Sequence, residues 1–61
     1  MQIPKDPHMM VSYVNLKLRD YYSNLETLCD DMDVSRSEIE GRLNEAGYFY
    51  DSDANQFKLT N

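Results

Sequence analysis

Sixty-one residues, with eleven acidic side chains against six Lys and Arg and a formal net charge of −5, allow one small domain and disfavour polyanionic partners. A chain this short buries only about 60% of the surface it exposes when unfolded, and domains of that size often add a disulfide, a metal or a partner subunit. Cys29 is the single cysteine and His8 the single histidine, which excludes an intrachain disulfide and a Cys/His metal cluster.

We therefore expect no cofactor, and a homodimer would compensate for a thin core. The opening Met-Gln-Ile-Pro-Lys-Asp-Pro lacks the apolar run of a signal peptide, and no stretch approaches the length of a membrane span. A lone thiol fits a reducing compartment, so a cytoplasmic location is expected.

Ile3 precedes Pro4, a pairing that favours extended backbone. Asp6-Pro7 then has the form of a helix start, with Asp6 as N-cap and Pro7 at the first helical position. From residue 7 to about 22 the period is helical. Met10, Val11, Val14, Leu18 and Tyr21 share one face, and Met9, Tyr13 and Leu16 form a second apolar strip on another. The polar side between them holds Ser12, Asn15 and Arg19.

A second helix is expected over about 24–32. Ser23 and Glu26 have the spacing of a capping box, and Leu25, Leu28, Cys29 and Met32 form its inner stripe. Ser35 and Glu38 repeat the box for a third helix over about 36–46, with Val34 and Ile39 at the positions of a hydrophobic staple. Ile39, Leu43 and Ala46 face inward, and Gly47 is placed to stop the helix. The short connection predicts a helix-turn-helix, with Asp33 at a tight-turn position that favours left-handed backbone. Gly41, in the middle of the third helix, costs about 1 kcal/mol of helix propensity. It either admits a close neighbour or is simply tolerated.

After Gly47 the pattern alternates. Tyr48 and Tyr50 point one way and Phe49 the other, Phe57 and Leu59 repeat the alternation, and residues 51–55 are polar and of hairpin-loop length. The expected fold is α+β, mostly α, with a three-helix core followed by a C-terminal β-hairpin over about 48–60. That is the order of a minimal winged helix in one domain over 1–61, and Ile3 could add a short third strand.

Charge placement bears on what such a fold could do. Residues 26–45 hold seven acids and two bases, Arg36 and Arg42, so the segment carries the whole net charge of −5. Binding to duplex DNA depends on Lys and Arg displacing counterions, so an acidic third helix argues against nucleic acid as partner. A dimer could still present Lys5, Lys17 and Arg19 as a basic strip.

Candidate sites are few. Asp51, Asp53 and Asn55 match the opening of a calcium loop, but Gln56 stands where that loop needs glycine, so a polar turn is the expected reading. Asp30, Asp31 and Asp33 are a solvated acidic run or a docking surface. Cys29 sits on an apolar stripe and is expected to be inert. His8 lies in the first helical turn and carries no chemistry of its own.

The candidate interaction surface comprises Met9, Tyr13, Leu16, Asn15, Lys17, Arg19 and Asp20, with Asn15 and Arg19 one helical turn apart. If Tyr48, Phe49, Tyr50 and Phe57 cover the Met9–Tyr13–Leu16 strip it is core; otherwise it marks an interface. No catalytic constellation is visible, so an enzyme is not expected.

Ile-Pro-Lys-Asp-Pro at 3–7, Val-Asn-Leu-Lys-Leu-Arg-Asp at 14–20, Leu-Cys-Asp-Asp at 28–31, Gly-Tyr-Phe-Tyr-Asp at 47–51 and Asn-Gln-Phe at 55–57 resemble a family of short bacterial proteins of unknown function. The resemblance spans nearly the whole chain. It implies a bacterial origin and a complete protein, and brings no activity, cofactor or site with it. Residues 34–60 also resemble, by spacing alone, the last helix and wing of winged-helix regulators, and fold analogy does not establish function. The expected role is a non-catalytic protein-interaction or self-associating module; the alternative is a small nucleic-acid-binding transcriptional regulator.

Overall fold

The computed structural model describes residues 3–60; Met1, Gln2 and Asn61, which belong to the expected N-terminal reading and to the 1–61 span, lie outside the described residues. Three helices, α1 (Pro7–Asp20), α2 (Leu25–Met32) and α3 (Arg36–Glu45), precede an antiparallel hairpin of β1 (Tyr48–Asp51) and β2 (Gln56–Leu59).

Each helix starts where a side-chain oxygen can satisfy a free amide. Asp6 accepts from the Met9 N–H at 3.1 Å with Pro7 just inside the helix, and Ser35 accepts from the Glu38 N–H at 3.4 Å. The start of α2 corrects the expectation of a Ser23 cap. Asn24 is the N-cap and accepts from the Thr27 N–H at 2.7 Å. Asparagine and serine cap about equally well, and the Ser23–Glu26 spacing carries no information about its neighbour.

The turn between α2 and α3 follows from Asp33. Its backbone is left-handed (φ 58°, ψ 50°), so the Val34 N–H reaches the Cys29 carbonyl and the Asp33 N–H reaches that of Asp30. This is a Schellman closure with aspartate where glycine is usual. Gly47 (φ 94°) ends the α3 connection and lets the chain enter β1.

The first helix ends at Asp20, two residues short of the expected boundary. Tyr21 is 69% exposed and does not join the core face. The Tyr22 N–H instead closes onto the Lys17 carbonyl at 3.0 Å, and the Asn55 amide donates to the carbonyls of Leu18 and Tyr22, both at 3.0 Å. A residue 33 positions away thus occupies the helix end.

The core gathers Met10, Val11, Val14 and Leu18 from α1, Leu25, Leu28 and Cys29 from α2, Ile39 and Leu43 from α3, and Phe57 from β2. Val14, Leu18, Leu25, Leu28 and Leu43 are the most completely buried, each contributing about 1.5–3 kcal/mol by leaving water. Ile3 is also buried but lies in no strand, so the possible third strand is replaced by an irregular segment that packs a side chain against the core.

The hairpin is fixed to α1 by a second system of bonds. The Asn15 side-chain amide donates to the Phe57 carbonyl at 3.0 Å, and its oxygen accepts from the Phe57 N–H at 2.7 Å. One primary amide thereby acts as a strand partner for one residue of β2. Beside it, Gln56 Nε2 donates to the Asn15 carbonyl at 2.9 Å.

Two stability outcomes follow. Asn15→Ala leaves both Phe57 backbone groups without these partners and is expected to lower stability by about 2 kcal/mol, or on the order of 10 °C in Tm for a domain this small. An unchanged urea midpoint would contradict the clamp. Gly41→Ala is expected to raise stability by about 0.5–1 kcal/mol, because nothing lies within 4 Å of the added Cβ. A lower Tm would show that the glycine is needed.

Candidate interaction surface

The proposed surface residues divide between two sides of α1. Asn15 turns toward the hairpin, half-buried and fully engaged with Phe57. It does not bond to Arg19, as the one-turn spacing suggested. Arg19 instead forks onto its neighbour Asp20, with Nε to Oδ1 at 3.0 Å and a terminal nitrogen to Oδ2 at 3.2 Å. That pair holds the Asp20 carboxyl below its ordinary range and raises the guanidinium of Arg19.

Opposite the core, Met9 is 61% exposed and Leu16 45% exposed, two helical turns apart on one face. Tyr13 beside them is half-buried and packs against the edge of the core. Lys17 lies over the Tyr21 ring at 4.6 Å and near the Tyr13 ring at 5.5 Å, so its aliphatic stem extends the apolar surface while its ammonium marks the margin.

The hairpin does not cover this strip. Phe57 is buried, and Tyr48 and Tyr50 pack against the core, while Phe49 is 42% exposed. The Asn15 clamp holds the hairpin on its own flank of the helix, about 100° around from Leu16 at one residue per 100°.

The remaining candidate groups serve the fold. Asp51 Oδ1 accepts from the N–H groups of Asp53 and Ala54 at 3.0 and 3.4 Å, and Oδ2 pairs with Lys58 at 3.3 Å. Asn55, left-handed at φ 55°, accepts from the Tyr50 hydroxyl at 2.6 Å. The calcium-like spacing is therefore a hairpin turn in which the side-chain oxygens of Asp51 and Asn55 are occupied within the chain. Tyr50 Oη also accepts from the Leu25 N–H at 3.2 Å, linking the turn to the start of α2.

In the acidic run, Asp33 closes α2 and Asp31 receives the Tyr22 hydroxyl at 2.5 Å, which raises the phenol's pKa. Cys29 is buried, and burial pushes its thiol up, away from the reactive thiolate. His8 Nδ1 lies 3.3 Å from Tyr48 Oη, with the rings edge-on. Among the described residues no three His, Cys, Asp or Glu side chains converge as a metal site, and no helix is long and apolar enough to cross a membrane.

Sequence reasoning passed over one hollow. Ile3, Met10, Val34 and Ile39 line an apolar depression of about 210 Å³, with Lys5, Glu38 and Arg42 at its rim. Ligand pockets usually exceed about 300 Å³ and converge several polar groups on the ligand. Here Glu38 and Arg42 pair with each other at 3.8 Å. No periodic signal could have found the hollow, because Ile3 reaches it from outside any regular element.

The turn carries a pH signature. Lys58, with the Asp53 and Ala54 amides, holds the Asp51 carboxyl below its ordinary range. Its contribution to the hairpin is present above the unfolded aspartate value of about 4 and is lost as pH falls through the lowered folded value. Carboxyl NMR should show Asp51 titrating below that value, and Lys58→Ala should move it upward; a midpoint insensitive to Lys58 would contradict the ion pair.

No curated protein and no solved structure matches the chain. The family model described as "Domain of unknown function (DUF4250)" matches residues 4–57. That span takes in α1, the α2–α3 turn, the Asn15 clamp and the hairpin turn, and the chain belongs to this family.

Proposed function

We propose that the protein is a non-catalytic, cytoplasmic interaction module that presents the outer face of α1 to a protein partner, a second copy of itself included. The observation that carries this reading is the exposure of Met9 and Leu16 on one face of the longest helix, with Tyr13 alongside. Apolar groups clustered on a surface usually mark contact, and the inner face of the same helix is already anchored by the core and by Asn15.

The other groups on the chain support a non-catalytic role. The lone thiol is buried, the Asp51 carboxylate is occupied, and at the 210 Å³ hollow Glu38 and Arg42 pair with each other. The acidic α2–α3 exterior supports a protein partner over a polyanion.

Affinity capture with wild-type bait and with Leu16→Glu bait tests the reading. Far-UV circular dichroism should show both baits folded, because Leu16 lies outside the core. Retention of the second copy or of another specific protein should fall at least roughly tenfold with Leu16→Glu, the loss expected when an apolar contact worth about 1.4 kcal/mol is removed. Identical retention profiles would reject the outer face of α1 as the contact surface.

A further inference from the structure

The pattern along α1 is self-complementary about its middle, and we infer that the occupant of its outer face is a second copy of this chain, joined by antiparallel α1–α1 packing. This rests on the interaction reading above and narrows it to one partner and one register. A two-fold axis passing between Ser12 and Tyr13 sets Met9 of one copy opposite Leu16 of the other, and the reverse. The exposed thioether and isobutyl groups then cover each other at both ends of the contact.

The same register brings the charges at the helix ends together. Asp6, the N-cap, falls opposite Arg19 of the other copy, and Lys5, just before the helix, opposite Asp20; Arg19 and Asp20 thereby exchange their mutual pair for pairs across the axis, four in all. All four residue types are exposed in the single chain. A parallel arrangement would set like against like at each of these positions. Antiparallel packing also places the N-terminus of each helix, with its partial positive charge, beside the C-terminus of the other, and an isologous two-fold contact closes on itself.

The net charge does not oppose the arrangement. The entire −5 lies on residues 26–45, whereas the contact uses the segment from Lys5 to Asp20, in which three bases balance Asp6 and Asp20 apart from one unit of charge. The α1 helix is 14 residues long, about 21 Å. One helix face of that length is small for a protein interface, so the dimer should be reversible, with Kd on the order of micromolar.

Sedimentation equilibrium from low micromolar to millimolar concentration reads the association. The wild-type chain should pass from monomer to dimer within that range, and Leu16→Glu should raise Kd at least tenfold while keeping the far-UV spectrum. Lys5→Glu and Asp20→Lys should each raise Kd on the order of tenfold across the two symmetry-related pairs. The double variant K5E/D20K should recover most of the wild-type affinity.

A chain that stays monomeric to millimolar concentration overturns the inference, as does a double variant no tighter than either single one. If Leu16→Glu abolishes capture of a different protein while the wild type is monomeric, the second copy is excluded and the α1 contact face stands. If Leu16→Glu alters neither self-association nor capture, both readings fall.

Discussion

The joint on which the rest of the structure depends is the pair of hydrogen bonds between the Asn15 side chain and the backbone of Phe57. A two-stranded hairpin is marginal in water by itself, and β2 has α1, not a third strand, along its outer edge. Asn15 supplies that edge with one donor and one acceptor in the spacing of a peptide group. Phe57 is then held against the core, where its side chain is almost fully buried, and Tyr50 packs on it with ring centroids 5.4 Å apart.

Asn55 completes the joint from the other end. Its left-handed backbone shapes the hairpin turn, its amide nitrogen occupies the carbonyls that end α1, and its oxygen receives the Tyr50 hydroxyl, which in turn accepts from the first residue of α2. One asparagine thus ties the hairpin turn, the end of the first helix and the start of the second. In a chain with few fully buried side chains, such polar joints fix the relative placement of elements that burial alone would hold loosely. Residues 14–20 and 55–57 contain the side chains and carbonyls that make most of these bonds.

Fixing the hairpin on the Asn15 flank of α1 leaves the face opposite the core without cover. Met9 and Leu16 are exposed because the clamp at Asn15 directs the strands away from them. The same geometry turns Asn15 from a candidate surface residue into part of the fold, and leaves the Lys17 and Arg19–Asp20 groups at the margin of an apolar strip. Fold and candidate surface are therefore consequences of one choice of side.

The sequence by itself determined what short range controls: the three helices and the hairpin, the caps at Asp6 and Ser35, the left-handed Asp33, and most of each inner stripe, with Tyr21 exposed and Met32 and Ala46 only half-buried at the helix ends. These follow from period, from side-chain oxygens beside free amides and from backbone sterics, all of which act within a few residues. It pointed to Ser23 where Asn24, which caps equally well, holds the position, and it carried α1 past Asp20 because periodicity has no term for a distant asparagine. The tertiary structure alone decided that Asn15 faces Phe57 and not Arg19, that Ile3 packs outside any strand, and that Met9 and Leu16 remain exposed. Each depends on which flank of α1 receives the hairpin, and that is set by bonds between residues about forty positions apart.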